Sequence, residues 1–254
     1  AMTAVNDIYY KIVPSTDIVL CIFCDGWPAC AREWVTRERI WPDIHLVEKI
    51  THDGFHIVPK SSPDGDFRLS FSCAETMLIQ AISRLQHKVM KAFKAVVKFH
   101  QNTWSQNLKI ISSYHLKTIA FWYFERTPPK CWTEETLVHH LVTLLEKLAE
   151  ALRMQNLAMY FMPRVNIMQH IDDPEIALEL VEKIIQISTN LPAILKVLTA
   201  INLSRLFKAR EHEFKLSFKK VNADYKKRQE SLSHESEITL WTTLNTITKI
   251  LALF

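Results

Sequence analysis

Two short blocks of this chain bring hydroxyls, an aromatic ring and fixed cations together: Ser112-Ser113-Tyr114-His115-Leu116-Lys117-Thr118 and Phe67-Arg68-Leu69-Ser70-Phe71-Ser72. That mixture suits a nucleotide, because a ring can stack on a base while hydroxyls and cations meet phosphate. In extended backbone, residues two apart share a face, so Arg68, Ser70 and Ser72 project together while Leu69 and Phe71 enter the core. Ser72 also precedes Glu75 by the spacing of a capping box, which predicts a helix from about Cys73. In the other block Ser113 is expected to cap a helix and Lys117 to lie one turn further along its face. Tyr114 then either stacks on a purine or is a half-buried tyrosine whose hydroxyl is satisfied nearby.

Other candidates are weaker. Lys88, Lys91, Lys94 and Lys98 recur every three or four residues, which predicts one solvated stripe on a long helix. Cys21 and Cys24 have C-x-x-C spacing, but on a strand they face opposite sides and no second Cys/His pair follows, so buried structural thiols are expected. Five cysteines without the density of a disulfide scaffold fit a reducing, intracellular setting. His115 and the pair His139-His140 lack a carboxylate at ligand spacing, so packing or solvent exposure is their expected role. Residues 204–228 are strongly basic and suited to nucleic-acid phosphates or an anionic membrane surface. Residues 238–254 place Leu240, Trp241, Leu244, Ile247, Leu251 and Phe254 at helical spacing, which predicts packing on the bundle or on a partner helix.

The elements that position these residues are mainly helical. The chain has 254 residues, 48% of them apolar, a net charge of +4 and only three glycines, which describes a folded protein with a sizeable core. Apolar periodicity predicts helices over 29–38, 73–100, 115–124, 133–154, 174–188 and 192–207. Thr133 and the Asp173-Pro174-Glu175 run supply helix starts. Residues 8–11 and 17–24 read as strands of a hairpin around Val13-Pro14-Ser15, whose unpaired edge favours self-association. Trp27, Trp34 and Trp41, seven apart, suggest a shared aromatic seam. Residues 61–66 form the clearest loop. No signal-peptide pattern and no apolar stretch of membrane-spanning length is seen, so a cytoplasmic protein is expected.

The order FHIVPK (residues 55–60), FRLSFS, SSYHLKT and then Tyr160-Phe161-Met162-Pro163-Arg164-Val165-Asn166 resembles the helical half of the male-abnormal-twenty-one domain family. That family includes cyclic GMP-AMP synthase and the cGAS-like receptors, nucleotidyltransferases that make cyclic dinucleotides when double-stranded nucleic acid binds. The resemblance runs from about Ser15 to about Ile171. It implies that Asp17 is the third of three metal-binding carboxylates, and that Lys60, Arg68, Ser70, Lys94, Ser113, Tyr114 and Lys117 contact ATP or GTP. Nothing in the sixteen residues before Asp17 resembles the family's other two carboxylates. Two-metal phosphoryl transfer needs several oxygen ligands around both ions, so the chain alone is expected not to catalyse it, and Mg2+ or Mn2+ would serve a complete enzyme. His87 stands without a cysteine where the synthase carries a zinc-binding insertion, so no zinc is expected.

The expected fold class is mainly α: a helical bundle, the C-terminal lobe of a cGAS-like nucleotidyltransferase, with a short β-hairpin remnant of the catalytic sheet at the N-terminus. Residues 1–66 form that remnant and its connection, 67–172 the helical lobe and 173–254 additional helices. Its expected role is cyclic dinucleotide synthesis in innate immune sensing, within a complete enzyme. A non-catalytic interaction module of the same fold, or a basic nucleic-acid-binding module, is the alternative.

Overall fold

The computed structural model describes residues 19–60 and 66–206. Among these, a three-stranded antiparallel sheet accompanies a set of helices. Strand β1 (Ile22–Cys24) pairs with β2 (Phe55–Pro59), and β2 with β3 (Phe67–Ser70), so the sheet order is β1-β2-β3. The partner of β1 is therefore the FHIVP run; residues 8–11 and Asp17, the rest of the expected hairpin, lie outside the described residues. Between β1 and β2 run the short helix α1 (Arg32–Thr36) and α2 (Ile44–His52), the latter capped by Asp43, whose carboxylate accepts from Leu46 N–H at 2.8 Å. Gly54 turns the chain from α2 into β2 with φ +74, and a Cβ there would lie 2.4 Å from Cys24 O, so only glycine lets β2 approach β1.

The expected helix over 73–100 is broken into α3 (Ser72–Ala81) and α4 (Arg84–Gln101). Ile82 takes extended backbone, and Ser83 then opens α4 with a capping box to Gln86, satisfying two N–H groups that would otherwise be orphaned. Helix α5 (Ser113–Arg126), α6 (Leu137–Arg153), α7 (Pro174–Thr189) and α8 (Leu191–Leu206) follow. Helix α6 starts four residues later than expected, because Thr133 does not cap it; Thr133 N–H and Thr136 Oγ1 instead close a turn ahead of the helix. The start of α7 is as expected, with Asp173 accepting from Glu175 N–H at 2.9 Å and proline at the first turn.

The core follows from helical periodicity. Val89, Ala92, Phe93, Val96 and Val97 of α4 meet Leu141, Leu144, Leu145 and Leu148 of α6, and α7 adds Leu180, Val181 and Ile184. A second aromatic cluster joins the N-terminal segment to the bundle: fully buried Trp34 packs on Phe161 at 5.0 Å and Trp27 on Phe71 at 5.1 Å. Trp27 and Trp34 touch, but Trp41 packs separately on Phe121 and Phe124, so the expected seam has two members. Cys21 is exposed and Cys24 half-buried, correcting the expectation of buried thiols: among the described residues β1 is the edge of the sheet, with Ile22 and Phe23 also exposed.

Two histidines are structural. His140 stacks on Trp132 at 3.8 Å; its Nε2 lies 2.9 Å from Cys131 O, which can only accept, so Nε2 carries the proton and Nδ1 accepts from Tyr123 O–H at 2.6 Å. His115 is buried with both nitrogens similarly engaged. Burial holds both imidazoles below their ordinary value. Unfolded, each takes a proton near pH 6.5, so the stabilisation is complete above that pH and is lost as pH falls toward the folded value. The urea midpoint is expected to drop between pH 7.5 and pH 5, and to drop less in His140→Gln. A midpoint equally pH-dependent in both proteins would show that His140 does not carry the effect.

Candidate functional site

The two hydroxyl-rich blocks meet where β3 runs into α3 and α5 begins. Pairing of Val58 with Arg68 and of His56 with Ser70 places Lys60, Arg68 and Ser70 on one face of the sheet, since opposed residues and those two apart share a side. Phe71 turns inward, 3% exposed, and ends the strand in the core. Ser70 Oγ donates to Ser72 Oγ at 3.3 Å.

Ser72 is the first residue of α3 and makes no cap, which corrects the capping-box expectation; Phe71 occupies the cap position without a side-chain bond. This frees Glu75, whose carboxylate pairs with the Lys117 ammonium across 42 residues. The same ammonium lies 5.4 Å from the Tyr114 ring centroid. Burial, then the adjacent Glu75 charge, push the Tyr114 phenol well above its ordinary value, with Thr118 and Arg68 pulling the other way, so the phenol stays protonated. The two blocks meet through the Glu75–Lys117 pair, with the Arg68 charge also acting on Tyr114.

The cap of α5 is Ser112, not Ser113: Ser112 Oγ accepts from His115 N–H at 3.3 Å and His115 Nδ1 accepts from Ser112 N–H at 3.1 Å. Ser113 is thereby left exposed in the first turn. The lysines of α4 do not form one solvated stripe. Lys88 is buried against Glu134 at 3.1 Å, and half-buried Lys98 donates to Ile111 O at 2.7 Å, while Lys91 and Lys94 remain exposed. Because Ile111 immediately precedes the α5 cap, Lys98 ties α4 to that helix start, and Lys94 stands one helical turn from Lys98 along α4. Burial lowers the Lys98 ammonium, with Lys94 adding repulsion.

Tyr114 and Lys117 thus gather with Glu75, and Arg68, Ser70 and Lys60 share the sheet face that leads into α3. Asp17 lies outside the described residues. Glu75 is the residue that sequence reasoning missed, because S-x-x-E after a strand reads first as a helix cap. Among the described residues no group of three or more His, Cys, Asp or Glu side chains converges to hold a metal. No helix among them is long and apolar enough to cross a membrane. A separate cavity of about 530 Å3 opens between α5 and α6 beside Trp122, Arg126 and Met154, and none of the residues around Glu75 lines it.

This arrangement can be compared with known proteins. Residues 8–81 match the Mab-21 protein nucleotidyltransferase domain and residues 84–185 the Mab-21 protein HhH/H2TH-like domain. The chain belongs to the Mab-21 family. The sheet, α3 and the grip residues of β3 fall in the first Mab-21 match, and α4 to α7 largely in the second. Protein mab-21-like 3 of Xenopus laevis is 28% identical over 152 residues, 59% of this chain and 38% of the relative. A cyclic GMP-AMP synthase-like receptor of Magallana gigas is 29% identical over 171 residues, covering 63% and 28%. Cyclic GMP-AMP synthase of Mus musculus is 25% identical over 173 residues, covering 60% and 34%. The chain therefore spans well under half the length of these relatives.

Proposed function

We propose that this chain is the nucleotide-holding helical half of a cGAS-like nucleotidyltransferase cleft, serving cyclic dinucleotide synthesis in innate immune sensing when the catalytic half is present. Lys60, Arg68, Ser70, Lys94, Ser113 and Lys117 meet the phosphates of ATP or GTP, and Tyr114 stacks on a base. The observation that carries this reading is the Lys117 ammonium paired with the Glu75 carboxylate and lying 5.4 Å from the Tyr114 ring centroid, in the first turns of α5. In the free chain Glu75 offsets the charge of Lys117; a phosphate, with more charge and more acceptors, competes for the same ammonium.

Binding does not amount to catalysis. Asp17 is the carboxylate proposed to meet a metal ion, and among the described residues no group of His, Cys, Asp or Glu converges to complete a cage for Mg2+ or Mn2+. Phosphoryl transfer is proposed only where further carboxylates complete a two-metal site with Asp17.

Calorimetric titration of ATP and GTP, with magnesium or manganese, tests the reading. Weak binding is expected for the intact chain. Loss of base stacking in Tyr114→Ala should weaken it about tenfold, from a stacking contribution of about 1–3 kcal/mol. No detectable heat from either protein would sink the nucleotide reading and favour a non-catalytic interaction module.

A further inference from the structure

Two helices of the bundle open with the same device built from different chemistry. Helix α4 uses Ser83 with Gln86, an amide that keeps its charge state; α5 uses Ser112 with His115, an imidazole that does not. His115 Nε2 lies 3.2 Å from Ile167 O, an acceptor only, so Nε2 holds the proton of the neutral ring. That leaves the Nδ1 lone pair to accept the Ser112 N–H at 3.1 Å. A second proton would have to sit on Nδ1, facing the donor it now receives.

The groups around the ring oppose that proton. The ammonium of Lys98 in α4, anchored on Ile111 O, repels a charge on the ring, and His170 stacks on it at 5.2 Å and 16°. Both act to keep the ring neutral, and among the described residues no carboxylate is seen to act on it. Protonation therefore breaks one half of the cap and sets the imidazolium against Lys98.

We infer that His115 is a positioning residue. Its neutral ring fixes the first turn of α5, and with it Ser113, Tyr114 and Lys117, in the geometry that grips a nucleotide, so acid loosens the grip. The inference rests on the nucleotide-binding reading above. His115 itself touches no ligand and acts through the three residues that follow its cap.

The test uses the whole chain and its His115→Gln variant, which reproduces the α4 box with a side chain that cannot titrate. ATP is titrated calorimetrically into both at pH 7.5 and pH 5, and amide hydrogen exchange at Ser112 and Ser113 is followed over the same range. Relative to the variant, the intact chain should lose about threefold or more of its ATP affinity at pH 5. Protonation of ATP is common to both proteins and cancels. Protection at Ser112 should fall with acid in the intact chain and persist in the variant. Affinities that decline in parallel, with parallel exchange, overturn the inference. If the intact chain binds no ATP at pH 7.5, the nucleotide reading fails, and the exchange profile separately shows whether His115 holds a proton-sensitive cap. The ring 15N shifts of the intact chain need no variant: a neutral ring protonated on Nδ1 at pH 7.5 would also overturn it.

Discussion

Replacing Arg37 with methionine is expected to cost about 3–5 kcal/mol of stability, because it leaves a buried carboxylate without its partner. The Glu125 side chain is 2% exposed, and its Oε2 accepts from Arg37 Nη2 at 2.6 Å. Arg37 Nη1 also donates to Tyr160 O at 2.9 Å, while its guanidinium lies 4.0 Å from the Trp122 ring centroid and 4.7 Å from that of Tyr160. A single arginine thus ties the segment after α1 to α5 and to the loop after α6. The backbone reinforces the tie, since Glu125 O accepts from Ile40 N–H at 3.0 Å. Desolvation of the pair has a second consequence. In Arg37→Met/Glu125→Leu both charges are gone, and part of the lost stability should return, because apolar replacement of a buried pair is often neutral while Arg39 loses the Glu125 charge that offsets its own burial. Urea denaturation of the two variants decides it. A single variant within about 1 kcal/mol of the intact protein would mean that Glu125 finds water or another donor when Arg37 is removed.

Legibility in the sequence followed the range of the interactions. The 3.6-residue period placed α6 and α7 to within a few residues, because it depends only on which side chains are apolar. Local chemistry read alone was misleading where a competing partner was distant in sequence. Ser72 and Glu75 have the spacing of a capping box, yet Glu75 is taken by Lys117, and the box forms instead at Ser83 and Gln86. The lysines of α4 share a periodic face in sequence, but Glu134 and Ile111 O, from other elements, draw Lys88 and Lys98 out of solvent. At the candidate site the residue types pointed to nucleotide chemistry. Their convergence depends on the α3–α5 contact through Glu75, which no local pattern encodes. The sheet was hidden for a similar reason: β2 and β3 are short, and the pairing of Cys24 with Phe55 spans two intervening helices.

Asn166→Ala is expected to cost about 2–4 kcal/mol, a larger penalty than a half-exposed loop residue usually carries. Its Oδ1 accepts from both Leu157 N–H and Met168 N–H at 2.9 Å, and its Nδ2 donates to Gln155 O at 2.8 Å. One amide side chain therefore closes the loop that carries Tyr160 and Phe161, each 1% exposed, into the aromatic cluster. The loop begins under constraint, since Gln155 holds φ 47, a conformation that favours glycine or asparagine. Alanine would leave two donors and one acceptor without partners. Aspartate keeps the double acceptor but turns the remaining oxygen toward Gln155 O, so Asn166→Asp should rescue only part of the loss. The consequence reaches the candidate site, because Ile167 O, next in the chain, is the acceptor that fixes the His115 ring. Hydrogen exchange at Ser112 should accordingly speed up in Asn166→Ala at pH 7.5 under conditions where the protein remains folded. A destabilisation below about 1 kcal/mol with unchanged Ser112 exchange would show that the aromatic packing of Tyr160 and Phe161, rather than Asn166, holds the loop against α5.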